Sequence, residues 1–325
     1  MYNYIEVFIL LLALGLDYLL GDPKNWLHPV EVIGWIINFF SQLILKYCPT
    51  PLQKRIGGIL LGIGVIFGSG ILIGIFLKFL SNYLWWLSII VEIILLASCF
   101  AFRSLAMATF DILTSLKEDN LQKTRVKLSQ YVGRDTQNLT PIEIKRALLE
   151  TVAENATDGI TAPLFYTLIG FFINPIVMVS FAISYKAAST LDSMIGYQRE
   201  PYSDIGWFSA KFEDILTWFP CRLTVLTLAL ISGKAQKVLQ ICRRDAINDP
   251  SPNSGWSECI YAAILNVQLG GINTYKGIIK EKPLLGENIE TITEDKINQA
   301  LNLTLYCCLI WTGVTTIFFL LHKIL

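Results

Sequence analysis

Apolar residues in this chain come in long unbroken blocks, not at alternate positions or on a single helical stripe, and such blocks predict helices that cross a lipid bilayer. The clearest is 56–77, uncharged throughout and long enough, at ~1.5 Å per residue, to cross a hydrocarbon core of ~30 Å. Its glycines recur at four-residue steps, Gly58 with Gly62, Gly64 with Gly68 and Gly70 with Gly74. That spacing predicts close approach of another helix. A second block, 83–102, has Trp85 and Trp86 at one end as interfacial anchors and Glu92 as its one charge. Residues 301–321 predict a third span, and residues 2–20 a fourth despite Glu6 and Asp17. The early apolar run resembles a signal peptide, but no Lys or Arg precedes it and no small-residue cleavage pattern follows, so it is expected to stay attached.

The block 159–185 is also uncharged, but Asn174-Pro175 interrupts it. Proline removes an amide donor and disfavours helix at the residue before it. The expectation is a re-entrant or buried hairpin of two half-helices, a break tolerated only inside protein or beside a wet cavity. Basic residues crowd 103–158, whereas Lys78 alone occupies the link 78–82, so the long segment is expected on the cytoplasmic side. Residues 204–232 carry Lys211, Glu213, Asp214, Pro220 and Arg222, and read as a helix against the bundle or at the interface rather than a lipid-facing span. Residues 233–300 read as polar helices and turns, with no strand alternation. The predicted fold is all-α: one membrane-embedded domain, 1–325, built as a polytopic helical bundle with a broken-helix hairpin and a polar site at the cytoplasmic face.

Composition agrees. Hydrophobic residues make up 53% and charged residues 16% of the 325, against roughly 25% charged for a soluble domain. Lys plus Arg and Asp plus Glu number 26 each, so no basic excess points to nucleic acid. The seven cysteines form no CxxC pair and sit mostly in apolar runs, which suits small buried hydrophobes. No Walker A, HExxH or GxSxG sequence is present.

Candidate chemistry clusters in a few polar stretches. Glu150, Glu154 and Asp158 stand four apart, hence on one face of a continuous helix, with Asn155 beside them. Like charges at that spacing repel, and near an apolar bundle they invite a cation such as Mg²⁺; on a solvated face they need nothing. Lys186, Asp192 and Ser193 follow the hairpin, where lysine suits a phosphate and aspartate a metal or an amine, the alternative being a plain helix end. Glu213, Asp214 and Arg222 make either an internal ion pair or a second metal and anion site. Arg244 precedes the stiff loop 251–257, where Asn253 and then Glu258 face either a ligand or ordinary cap duties. His28, one of two histidines, lies in a tight loop with Gly21-Asp22-Pro23; a lone histidine is usually a structural donor. Residues alone leave two classes open: metal-assisted phosphate chemistry, or a transporter, whose broken helices and intramembrane polar groups look much the same.

The ordered motifs LDYLLGDP and HPVEVIG (16–34), GRDTQNLT (133–140), ETVAENATDGITAPLFY (150–166), YKAASTLDSMIGY (185–197), FEDILTWFPCRLT (212–224), SPNSGW (251–256) and LGGINTYKG (269–277) resemble the adenosylcobinamide-phosphate synthase family of cobalamin biosynthesis, of the CobD/CbiB type. The chain departs from that pattern mildly: two aspartates usually stand at Glu213 and Asp214, often asparagine at Thr217 and histidine at Asp249. The resemblance implies a multi-pass cell-membrane ligase, active on the cytoplasmic side. It would join adenosylcobyric acid to (R)-1-amino-2-propanol or its O-phosphate, with ATP as co-substrate, Mg²⁺ as cofactor and ADP as product. Its partners would be these substrates, the bilayer, and a second copy or other late corrin-pathway membrane enzymes. From residue chemistry, Glu154, Asp158, Asp192 and Asp214 are assigned to metal and Lys186, Arg222, Arg244 and Glu258 to catalysis. Asn155, Ser193, Asn253 and His28 are assigned to binding substrate or co-substrate.

Overall fold

A computed structural model describes residues 4–21, 28–118, 120–197 and 199–324. In chain order these form α1 (Ile5–Leu19), α2 (Pro29–Tyr47), α3 (Pro51–Tyr83), α4 (Trp85–Ala97), α5 (Phe102–Lys117), α6 (Leu121–Leu128) and α7 (Pro141–Asn155). A π-helical turn, Ala156–Thr161, leads into α8 (Ala162–Phe171), α9 (Pro175–Ile195), α10 (Trp207–Ile231) and α11 (Ala235–Asp245). A 3₁₀ turn, Ala246–Asn248, precedes α12 (Ser254–Leu265), the strands β1 (Gln268–Tyr275) and β2 (Ile278–Gly286), and α13 (Glu294–Ile324).

The architecture is that of an all-α polytopic membrane protein with one small hairpin of strands. Four helices, α2, α3, α10 and α13, are long and apolar enough to cross a membrane, and α4 with α5 makes a fifth if that pair, bent by 41°, is one span. Three corrections follow for the expected spans. Helix α1 has 15 residues, which at ~1.5 Å each falls short of a ~30 Å core. The expected span 83–102 is interrupted at 98–101, between α4 and α5. Conversely α2, broken in sequence by Glu31, Asn38 and Gln42, and α10, set aside for its charges, both qualify. Helix α10 keeps Glu213 buried, which removes the objection to its charge.

The described chain divides into two compact units. The first takes the described parts of Met1–Arg103, Ala162–Thr217 and Trp311–Leu325. Its core joins Ile33, Ile37, Leu61, Val65 and Ile66 to Ala187, Ala188, Leu191, Ile195 and Ile205. Small residues let backbones meet: a Cβ on Gly70 would sit 2.1 Å from Ser184 Oγ, and one on Gly58 2.0 Å from the Ile205 carbonyl oxygen. Gly64 and Gly68, by contrast, face open space. The chain breaks between α8 and α9 at Asn174-Pro175. Asn174 caps α9 by accepting the Val177 N–H at 3.0 Å, and Pro175 takes the first helical position, where no donor is needed.

The second unit takes the described parts of Ser104–Thr161 and Trp218–Ile310. Leu148, Leu149 and Val152 of α7, Ile260, Tyr261 and Leu265 of α12, and Leu269 and Leu285 of the strands are all buried in it. Helix α7 opens with a capping box, Thr140 and Glu143 each bonding the other's backbone N–H behind Pro141. The two antiparallel strands correct the expectation of helices and turns alone. Their link is a two-residue turn, Lys276-Gly277, with φ of 50° and 78°, the backbone of a type I′ hairpin. Asp135 holds that turn, accepting the N–H of Lys276 at 3.0 Å and of Gly277 at 2.8 Å.

Candidate active site

The densest group of charges lies in the second unit, where α7, α12 and the hairpin converge. Glu150, 2% exposed, accepts a guanidinium N–H of Arg134 and the backbone N–H of Gly270, the latter at 2.9 Å. Gly270 has φ +83°, and a Cβ there would lie 1.9 Å from the Pro283 carbonyl oxygen, so only glycine lets β1 reach Glu150. Asn273 Oδ1 accepts from Arg134 at 2.9 Å and Arg146 at 3.2 Å, and Arg146 also donates to the Ile272 carbonyl at 3.0 Å. These contacts seat β1 against α7.

Seating β1 delivers Lys282 on β2. Its ammonium donates to Glu258 Oε1 at 3.0 Å. Glu258 is completely buried, and its Oε2 meets no hydrogen-bonding partner among the described residues. Burial pushes the Glu258 carboxyl up to about 8, with Glu154 and Glu150 adding to the rise against the pull of Lys282. Burial works against the Lys282 charge too, but Glu258, Glu150 and Glu154 together outweigh it and raise its pKa. Glu154 is open to water, yet enough protein surrounds its carboxyl that desolvation raises its pKa; Lys282 opposes the rise and Asp249 reinforces it.

Glu150 and Glu154 share a face of α7, and Asp158 lies in the π-turn that follows. Asn155 is exposed and donates to the Thr151 carbonyl at 2.9 Å. The turn is pinned by hydroxyls: Thr157 and Ser257 meet at 2.6 Å, and Thr161 and Thr224 at 2.7 Å.

Arg222 donates to the Pro252 carbonyl at 2.8 Å and stacks on Trp256, 4.5 Å from the ring centre. Its Nη1 is buried without a partner among the described residues. Asn253 lies in the same loop, its carbonyl taking the Cys221 thiol at 3.4 Å. Arg244 is surface-exposed and paired with Asp245 and Glu287, while Asp245 accepts the Gly286 N–H at 3.0 Å. Arg244 thus fastens the end of β2.

The remaining candidates lie in the first unit. Lys186, Asp192 and Ser193 stand on α9, Ser193 donating to the Ser189 carbonyl at 2.9 Å. Asp214 pairs with Lys211 at 3.7 Å. Glu213 takes the hydroxyls of Thr217 and Tyr185, and the charges of Asp192 and Asp214 act on it. His28 caps α2, its Nδ1 accepting the Val30 N–H at 3.3 Å; Asp22 and Pro23 of its loop lie outside the described residues. Among the described residues no group of three or more His, Cys, Asp or Glu side chains is placed to hold a metal ion. In the second unit the cation among the glutamates is a lysine.

Sequence reasoning missed Lys282 and Arg134. Lys280-Glu281-Lys282 looks like a solvated charge run. Tyr275-Lys276-Gly277 between Ile272 and Ile278 is the hairpin signal that would have placed it.

Comparisons with known proteins cover most of the chain. A family described as CobD/Cbib protein matches residues 10–304. The "Cobalamin biosynthesis protein CobD" of Synechocystis sp. is 51% identical over 319 residues, covering 98% of this chain and 93% of that protein. The "Cobalamin biosynthesis protein CbiB" of Salmonella choleraesuis is 39% identical over 297 residues, covering 90% of this chain and 91% of its own. No solved structure matches significantly.

Proposed function

Because the chain belongs to the CobD/CbiB family and has its role in cobalamin biosynthesis, we propose that it is the adenosylcobinamide-phosphate synthase, an ADP-forming amide ligase of the cell membrane. The substrates are adenosylcobyric acid, ATP, and (R)-1-amino-2-propanol or its O-phosphate. A carboxylate resists attack by an amine until one of its oxygens becomes part of a better leaving group. In the proposed reaction the carboxylate takes the γ-phosphoryl of ATP, releasing ADP, and the free amine then attacks the acyl carbon and expels phosphate. Phosphoryl transfer asks chiefly for positioning and charge neutralisation, which fits the basic side chains Arg222 and Arg244 and the polar groups of Asn155 and Asn253 in the second unit.

The observation that carries this reading is the Glu258–Lys282 pair with the Glu150–Arg134 pair behind it: acids and cations fixed in bonding contact, on elements that are not among the long apolar helices. Mg²⁺ belongs here with the nucleotide. Glu154, Asp158, Asp192 and Asp214 do not make a protein-only metal cage among the described residues, whereas a Mg²⁺ carried on ATP phosphates asks for one or two carboxylates. It is therefore treated as part of the substrate.

The test is a product assay. Protein purified in detergent and given ATP, Mg²⁺, adenosylcobyric acid and the amine is expected to release ADP only when both other substrates are present, with a matching mass gain of the corrinoid. Absence of a new amide by mass spectrometry overturns the ligase reading. Flux of an unmodified corrinoid into proteoliposomes would replace it with transport.

A further inference from the structure

Three carboxylates gather with cations in the second unit. Arg134 is paired with Glu150, both groups being nearly sealed from water. Lys282 touches Glu258 and feels the charge of Glu154, on which Arg134 acts as well. Asp249 adds a further acid, its Oδ1 taking the Ser251 N–H at 2.9 Å and its Oδ2 meeting no partner among the described residues. Among these groups stands a definite acceptor. Glu258 Oε2 is buried and unpartnered, and an unmet acceptor of that kind costs free energy unless a ligand's donor reaches it. Lys282 fixes the other oxygen, so the free one has a set direction. Glu154, whose charge acts on Glu258, is open to water.

We propose that Glu258 receives the ammonium group of the amine co-substrate and takes its proton, with Glu154 as a second carboxylate arm and Lys282 as the residue that positions Glu258. The assignment rests on the ligase reading. In the step, R–NH₃⁺ gives a proton to Glu258 and becomes R–NH₂. The nitrogen lone pair then forms the C–N bond as the bond from the acyl carbon to the phosphate oxygen breaks, and the second N–H proton leaves with the phosphate. Burial raises the affinity of Glu258 for a proton, to about 8, so it accepts one from its ionised form at mildly alkaline pH.

The experiment is steady-state kinetics of the full-length protein in detergent, varying the amine at saturating ATP and adenosylcobyric acid, for wild type, Glu258→Gln, Lys282→Met and Lys282→Arg. Glu258→Gln is expected to lower kcat by about 10²-fold or more, the scale of a lost proton acceptor. Lys282→Met is expected to raise the KM for the amine about tenfold or more, leaving the KM for ATP unchanged and shifting the acid limb of the pH profile. Lys282→Arg is expected to restore most of the amine KM. In parallel, calorimetric titration of wild type with 1-amino-2-propanol and with uncharged 1,2-propanediol is expected to show binding of the amine alone. If wild type makes no amide, the ligase reading has failed. If wild type makes amide but Lys282→Met leaves the amine KM unchanged, or raises the ATP KM equally, the ammonium site is overturned. Should Lys282→Met not fold, equal binding of the diol and the amine to wild type overturns it instead.

Discussion

Burying Glu150 against Arg134 strips both groups of water, and the arrangement holds because every lone pair that matters is met, by the guanidinium on one side and the Gly270 N–H on the other. Removing one partner leaves a charge stranded. Arg134→Ala is expected to cost about 3–5 kcal/mol, and Arg134→Met with Glu150→Met distinctly less. Thermal unfolding in detergent measures both. Glu258 makes a prediction of the other kind. Its carboxyl holds a proton up to about 8 in the folded chain, against an ordinary value of 4.5. Between those values the native state binds a proton that the unfolded chain has released, so stability falls as pH rises through that window. Unfolding measured at several pH values between 5 and 8 is expected to show that slope in wild type and a flatter one in Glu258→Gln.

At the scale of elements, the glycines of α3 divide by what they face. Gly70→Ala would drive a methyl against Ser184 Oγ and the Ser180 carbonyl, an overpacking expected to cost about 1–3 kcal/mol. Gly64→Ala meets nothing and is expected to be neutral. Unfolding of the two variants side by side checks the contrast. Four-residue spacing reveals that these glycines can pack, but not which pair does. The break before α9 is plain in sequence because Asn174-Pro175 carries both a cap and a missing donor. Helix α2 is hidden from a hydropathy scan because the scan averages over Asn38 and Gln42. The hairpin was obscured by Gly270-Gly271, which interrupts alternation with a bulge in the pairing. The turn Lys276-Gly277 could place Lys282 on a strand, but not against Glu258, since its partners lie on α7 and α12, remote in sequence.

For the whole molecule, the testable matter is sidedness. If the basic segment 103–158 is cytoplasmic, so is the hairpin turn that Asp135 holds through the Lys276 and Gly277 amides. A cysteine at Lys276→Cys, in a background cleared of reactive thiols, is expected to react with an impermeant maleimide in inside-out vesicles and not in intact cells. The reverse labelling overturns the orientation. Chain length carries meaning in the same region. The π-turn at Ala156–Thr161 amounts to one residue more than regular winding requires. Loss of a single codon there would let the stretch close into ordinary α-helix and release the hydroxyl contacts that now pin it to α10 and α12. One register step would then separate an intact helix from a working one.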